Sequence, residues 1–318
     1  LGAAEAGCFP GVVYYLGQWF PERTLAQAMS RFMMSIPLAG VIGGPLGGAL
    51  LTLSGKFGLA GWQWLFLAEG VPSLVLGIAL LFVFTDRPKD AHWLSSAERE
   101  WLTKTLDDER RVREGIAESG AVKALTSGVV WWLAIAYFFA IAAELGPIFF
   151  GPSLVAEALH ADALTVGLVM GGIGLAGVAG MLINGALSDR RGERIIHSAI
   201  PMLMMAAGFA LTAFVREGLW TPIGLAVISF SVNAFLPVFW CVPSAILAGV
   251  GAAGGIALIN SIGNLGGFFA PNIVGAGRQT SGSFAGPFIE LGAMALAAGL
   301  MMLPMRRTRS FRAGLRAR

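Results

Sequence analysis

Apolar residues run along this chain in blocks of about twenty, and short polar stretches separate the blocks. Nine blocks stand out, at residues 1–20, 32–53, 64–84, 129–150, 164–187, 195–215, 223–246, 256–274 and 284–303. A run of this length, wound as a helix, matches the hydrocarbon core of a bilayer. A helix also satisfies its own backbone donors and acceptors where no water can do so. The pattern therefore predicts an all-α membrane protein with nine transmembrane helices. Three blocks precede the one long polar stretch, residues 86–123, and six follow it.

That stretch holds 8 of the 22 Lys and Arg and 9 of the 19 Asp and Glu, too much charge to lie in lipid. It is predicted to be an aqueous link carrying a short surface helix. Ser95 or Ser96 can cap that helix, with acids in its first turn. Leu94, Trp101, Leu102 and Leu106 would supply its apolar face. The resulting plan places the second half of a first helix bundle at 1–85 and the link at 86–126. A six-helix bundle follows at 127–305, and a basic tail at 306–318.

Composition agrees: 56% of residues are hydrophobic and 13% charged, where soluble domains carry about 25% charge. Mean hydropathy is +0.71. The net charge of +3 is informative by position. Taking alternate connections as one side gathers nineteen Lys and Arg there and leaves Lys56, Arg216 and Arg278 on the other. The excess marks the cytoplasmic side, which places the link and the C-terminus in the cytoplasm. Cys8 and Cys241 both fall in apolar blocks and are expected as small core residues, not a disulfide. His92, His160 and His197 are scattered among connections and form no metal-ligand cluster. The chain opens at Leu1, inside an apolar block, with no initiator Met and no leader, and is expected to be part of a longer one.

Glycines recur at helical spacing: Gly40, Gly44 and Gly48 in the second block, and Gly167, Gly171, Gly174, Gly177 and Gly180 in the fifth. Such stripes let helix backbones approach closely in lipid. They fit static packing first and a sliding interface second. Phe9-Pro10 and Gly44-Pro45 are spaced much like Leu236-Pro237 and Ala270-Pro271, a weak sign of a parallel internal repeat.

Several stretches carry a resemblance. Gly2-Ala3-Ala4-Glu5-Ala6-Gly7-Cys8-Phe9-Pro10-Gly11, running on to Trp19-Phe20-Pro21-Glu22-Arg23, resembles the fourth helix of the major facilitator superfamily. It is similar in particular to the anion:cation symporter family of bacterial tartrate, glucarate and galactonate permeases. Residues 61–70, Thr85-Asp86-Arg87-Pro88-Lys89-Asp90 and Gly255-Ile256-Ala257-Leu258-Ile259-Asn260-Ser261-Ile262-Gly263-Asn264 match the same family. The resemblance implies the major facilitator fold, with this chain holding helices four to twelve. Gly185-Ala186-Leu187-Ser188-Asp189-Arg190-Arg191-Gly192-Glu193-Arg194 resembles the superfamily's loop signature in its second copy. Gly192 permits a tight turn, and Asp189 can pair with Arg190 or Arg194. The cluster fits a conformational latch and topology-setting charge alike. One departure stands in the helix after the link, where Glu144 occupies a position expected to be apolar or small.

Ionisable groups in lipid are costly and face a cavity or a partner. Glu5 lies 14 residues from Trp19, roughly 21 Å deep at 1.5 Å per residue. It fits a helix-packing hydrogen bond or a protonatable group, and the resemblance gives this acid the proton-coupling role. Asn260 and Asn264 share one helical face and fit interhelical glue or donors to a substrate. The resemblance assigns substrate contact to Asn260 and Trp240, and Asn264 and Glu144 complete the candidate substrate set. The expected function is proton-coupled import of a small organic anion, a sugar acid or a dicarboxylate, by a monomer in the cytoplasmic (inner) membrane. Export or exchange is the alternative within transport, since Gly40-x-x-x-Gly44-Pro45 fits an antiporter motif. Beyond transport, a membrane receptor or a membrane-embedded enzyme is the other reading. No nucleotide loop, metal site, cofactor site or nucleic-acid surface is predicted.

Overall fold

The computed structural model describes residues 7–51, 53–116, 125–161, 163–215, 218–247 and 249–307. Among these, the apolar blocks fold as helices, and no strand is present. Before the link come α1 (Cys8–Trp19), α2 (Glu22–Met33), α3 (Ser35–Leu51) and α4 (Gly61–Val83). The link carries α5 (Ser96–Ile116). After it come α6 (Gly128–Leu159), α7 (Ala163–Arg191), α8 (Ile195–Phe214), α9 (Trp220–Ile246), α10 (Gly249–Ser281) and α11 (Ala285–Met302). Among the described residues, seven helices, α4 and α6 to α11, are each long and apolar enough to cross a membrane.

The first two of the nine predicted blocks differ from expectation. Of the first, 12 residues fold as α1, and Glu5 lies outside the described residues. The second is longer than expected and begins at Glu22, where residues 21–31 were expected to be a connection. Leu25, Ala26, Met29 and Met33 recur at helical spacing and are buried, while Arg23 and Arg31 are exposed. That stripe makes α2 amphipathic, so it packs despite its polar residues. Met34 keeps α-helical dihedrals, and its N–H donates to the Ser30 carbonyl at 2.9 Å. Pro37 has no N–H to return to Met33, and the break falls there. Thus α2 and α3 form one rod with a joint at Met34.

Beyond the link, α6 packs most extensively on α10, α9 packs on both α8 and α7, and α8 on α11. Most of the buried core lies here, with Trp240, Phe209, Phe235, Phe239 and Phe288 its largest apolar side chains, and Val13, Leu25, Met29 and Met33 extend it into α1 and α2. The α6–α10 contact depends on glycine: a Cβ at Gly266 would sit 2.2 Å from the Phe138 carbonyl oxygen. By contrast α4 buries only Gly61. Across the link, α2 meets α7 and α9, and α1 meets α10 and α9. The glycine stripe of α7 divides between these surfaces. Gly177 and Gly180 lie against Ser229, Phe230 and Asn233 of α9, while Gly174 meets Val41 of α3. Gly40, Gly44 and Gly48 fall in α3, but their surroundings lie outside the described residues.

In the link, Ser95 is the capping residue. Its N–H and hydroxyl donate to Glu98 Oε2 at 3.0 and 2.6 Å, and Glu98 N–H returns to Ser95 Oγ at 3.3 Å. These bonds hold the Glu98 carboxyl below its usual pKa. Leu106 is buried, but Trp101 is 55% exposed, so the apolar face of α5 is narrower than predicted. The link is fixed to α1 by Trp93 stacked on Trp19 with centroids 5.7 Å apart. Tyr15 Oη also donates to the Thr85 carbonyl at 3.0 Å. Cys241 is buried as expected, whereas Cys8 is exposed.

Candidate functional site

The loop between α7 and α8 builds a polar cluster at the end of the molecule where the link lies. Gly192 turns it with φ of 59°, a left-handed conformation that glycine adopts without a Cβ clash. The turn folds Arg194 back onto Asp189, with Nη1 2.5 Å from Oδ1 and both side chains almost fully buried. Arg194, not Arg190, is the partner; Arg190 points to solvent. Arg194 Nη1 also donates to Ser188 Oγ at 2.9 Å.

The cluster then reaches across to α2. Asp189 accepts from the N–H groups of Ala26 at 3.3 Å and Gln27 at 2.8 Å, and Arg194 Nη2 donates to the Glu22 carbonyl. A carboxylate near a helix N-terminus is favoured by the partial positive charge there. From the link, the Glu109 carboxylate accepts from Glu22 N–H at 3.2 and 3.1 Å. One helix end is therefore held by α7 and by α5 together. Just inside, Gly185 lets α7 approach α2, since a Cβ there would meet Ser30 Oγ at 2.0 Å. These bonds tie helices that precede the link to helices that follow it, the arrangement a latch requires.

A second polar group, not foreseen from the sequence, braces the latch. Asn184 Nδ2 donates to the carbonyls of His197 and Ala234, both at 2.7 Å, and Asn184 Oδ1 lies 2.8 Å from His197 Nδ1. His197 therefore lies within α8 and is buried, not in a connection.

Trp240 is fully buried where α1, α6 and α9 meet. Its ring packs edge-on against Phe9 at 5.2 Å and Tyr137 at 5.0 Å, and Tyr137 stacks on Phe239 at 5.0 Å. Trp240 Nε1 is buried beside Tyr137, the polar side chain that faces it. Tyr137 covers Gly263 of α10, where a Cβ would come 1.9 Å from the ring. Asn260 stands one turn before Gly263 and is half-buried, and Asn264 is exposed. Neither amide has a hydrogen-bond partner among the described residues. Glu144 is half-buried on α6, seven residues beyond Tyr137 and on the same face. Contacts thus join Trp240 to the level of Asn260 through Tyr137, while Glu144 stands about 10 Å further along. Tyr137 escaped the sequence reading, and Phe9 entered it only beside Pro10, although Tyr137 is one of only 3 tyrosines, a rare polar ring inside an apolar block.

A cavity of about 320 Å³ opens beside these residues at the same end as the latch. Tyr14 and Gln18 of α1, Ser244 of α9 and Ile256 of α10 line it, together with Arg87 and Lys89 of the link. Ser244 and Ile256 each lie one helical turn from Trp240 and Asn260 respectively.

A multi-pass helical membrane protein with a buried polar cluster bonding two sets of helices, and a cavity at the same end, has the plan of a carrier. Residues 1–271 match the Major Facilitator Superfamily, and the chain belongs to that superfamily of transporters. A protein of Agrobacterium vitis assigned by name as a tartrate transporter is 39% identical over 308 residues, covering 97% of this chain and 68% of its own length. The inner membrane transport protein RhmT of Escherichia coli K12 is 35% identical over 315 residues, covering 98% and 72%. The structure of the proton:xylose symporter XylE aligns with a TM-score of 0.71 at 16% identity, covering 91% of this chain and 66% of that one. The chain therefore spans about two thirds of these proteins, and it shares their fold as a multi-pass membrane transporter, not an enzyme.

Proposed function

We propose that this chain is the helix-four-to-twelve portion of a proton-coupled importer of small organic anions, a sugar acid or a dicarboxylate, in a bacterial inner membrane. The observation that carries this reading is the cavity ending one turn from Trp240 and Asn260, in whose wall the bases Arg87, Lys89 and Arg110 outnumber the acid Asp107. Basic residues there raise the local concentration of an anion, and the Asn260 and Asn264 amides and the Trp240 indole N–H are donors suited to its oxygens. The similarity to a relative assigned to tartrate supports the substrate class. In this reading the latch face is cytoplasmic, the link is residues 86–126, and the six helices of 127–305 rock against those of 1–85. Asp189, Arg194 and Gly192 hold the cytoplasmic side, with Arg190 contributing surface charge. Substrate contacts are Trp240, Asn260 and Asn264.

Glu5 is the proposed coupling acid, since the resemblance places it in the fourth helix. The test is uptake of labelled tartrate into liposomes holding the full-length protein, with and without a proton gradient. The parent is expected to accumulate tartrate only with the gradient. Glu5→Gln cannot release a proton, so it should lose accumulation while still exchanging tartrate across the membrane. Gradient-driven accumulation by Glu5→Gln equal to the parent's would place coupling elsewhere. Asn260→Ala is expected to weaken apparent affinity by about 1–3 kcal/mol, roughly five- to 150-fold, because a substrate oxygen loses its donor. A lower yield of folded protein with unchanged affinity would make Asn260 a packing residue.

A further inference from the structure

We propose that Glu144 is a proton-carrying group of the transport path, distinct from Glu5. This rests on the reading of the chain as a proton-coupled carrier. Glu144 sits at the middle of α6, 16 residues from Gly128 and 15 from Leu159, so more than about 20 Å from either helix end. It forms no hydrogen bond or ion pair with any described residue. The small polar residues of neighbouring helices behave otherwise. Ser244, Thr212 and Cys241 each donate to the carbonyl four residues back, which is how a buried polar side chain is satisfied when its role is packing.

Among the described residues, the helices packed on α6 bring no counterion to Glu144. Residues 124–189 contain no Lys or Arg. On α6 itself the other titratable groups are Tyr137 and Glu157. From α10 the one charged residue is Arg278, which is engaged by Glu157 and lies over the Phe284 ring. From α11 it is Glu290, which is exposed. Helix α9 carries no charged residue, only the buried Cys241. Helix α7 carries Asp189, Arg190 and Arg191, all at the latch.

Position supplies the function. Seven residues from Tyr137, Glu144 shares the face of α6 whose aromatic contacts run through Trp240 to Phe9, on a helix before the link. That face borders the seam between the two sets of helices, where alternating access exposes side chains to one side and then the other. A carboxyl at membrane depth without a cation marks a proton, ion or substrate pathway. With no basic residue to pair with, Glu144 is suited to binding a proton from one side and releasing it to the other. An anionic substrate meets less repulsion when that proton is bound, which links the two fluxes.

The test compares Glu144→Gln and Glu5→Gln in full-length protein in liposomes. For Glu144→Gln, tartrate accumulation driven by a proton gradient should fall at least tenfold, while tartrate counterflow without a gradient falls less than threefold. Accumulation at the parental level overturns the proposal, and if Glu5→Gln is uncoupled in the same assay the proposed function still stands. Equal loss of both activities also overturns it, since Glu144 would then act on substrate alone. A parent that ignores the gradient removes the proton-coupled reading and this proposal together. Should Glu144→Gln fail to fold, the parent answers directly. Dicyclohexylcarbodiimide, which attacks protonated carboxyls in apolar surroundings, should label Glu144 near neutral pH and less at alkaline pH. No adduct at Glu144, with other sites labelled, overturns the proposal.

Discussion

Arg194→Ala is expected to open the latch side of the transporter and to slow transport at least tenfold. Arg194 and Asp189 form a buried pair at 2.5 Å. Deleting one member of such a pair leaves the other charge uncompensated, at a cost of about 3–5 kcal/mol. That cost falls on the latched state, because an open latch returns Asp189 to water. An equilibrium between latched and open forms would move by roughly two to four orders of magnitude. Ser30 reports on it: it is 1% exposed, between α2 and Gly185 of α7. Ser30→Cys should resist a membrane-impermeant maleimide in the parent and react at least tenfold faster with Arg194→Ala. Equal labelling rates, with both proteins folded, would show that the cluster only sets topology.

Gly266→Val is expected to abolish the folded protein or to lower its thermal midpoint sharply. The added Cβ would lie 2.2 Å from the Phe138 carbonyl oxygen and 3.1 Å from the Ala142 nitrogen. Both are backbone atoms of α6, so no side-chain rotation can relieve the contact, and the two helices must separate. Overpacking ordinarily costs about 1–3 kcal/mol, and a backbone collision along the most extensive helix contact should exceed that range. Gly167→Val is the control, because a Cβ at Gly167 meets nothing within 4 Å. Monodisperse protein and thermal midpoint in detergent check both. Equal behaviour of the two variants would refute a tight α6–α10 contact.

Much of the latch was legible in sequence, but its receptor was not. Asp189, Gly192 and Arg194 advertise themselves by charge and turn chemistry, and the structure only had to choose Arg194 over Arg190. What they grip is the backbone of Ala26, Gln27 and Glu22, and backbone N–H and C=O groups leave no mark in a sequence. The polar residues Glu22, Arg23, Gln27 and Arg31 also lower local hydropathy, which hid α2 behind the appearance of a connection. Its buried stripe, Leu25, Ala26, Met29 and Met33, was present and would have answered a search at helical period. The six apolar blocks after the link were plain because each is nearly uncharged from end to end. Trp240 and Asn260 were singled out by resemblance. Tyr137, which joins their surroundings, was not, since a single tyrosine among many aromatic rings alters no periodicity. Asn184 and His197 lie 13 residues apart on two helices, a pairing that only tertiary structure creates.

The joint at Met34 gives α2 a lever arm. From Met34 to Glu22 is 12 residues, about 18 Å, and to Ala26 about 12 Å. Tilting this arm by about ten degrees displaces its tip by about 3 Å and Ala26 by about 2 Å. The Asp189 bond to Gln27 at 2.8 Å would then stretch beyond the roughly 3.5 Å reach of a hydrogen bond. A gate built on this arm would have a short throw. A pivot at Met34 would turn a few degrees of helix motion into the difference between a fastened and a released end, while α3, on the far side of the pivot, keeps its contact with α7.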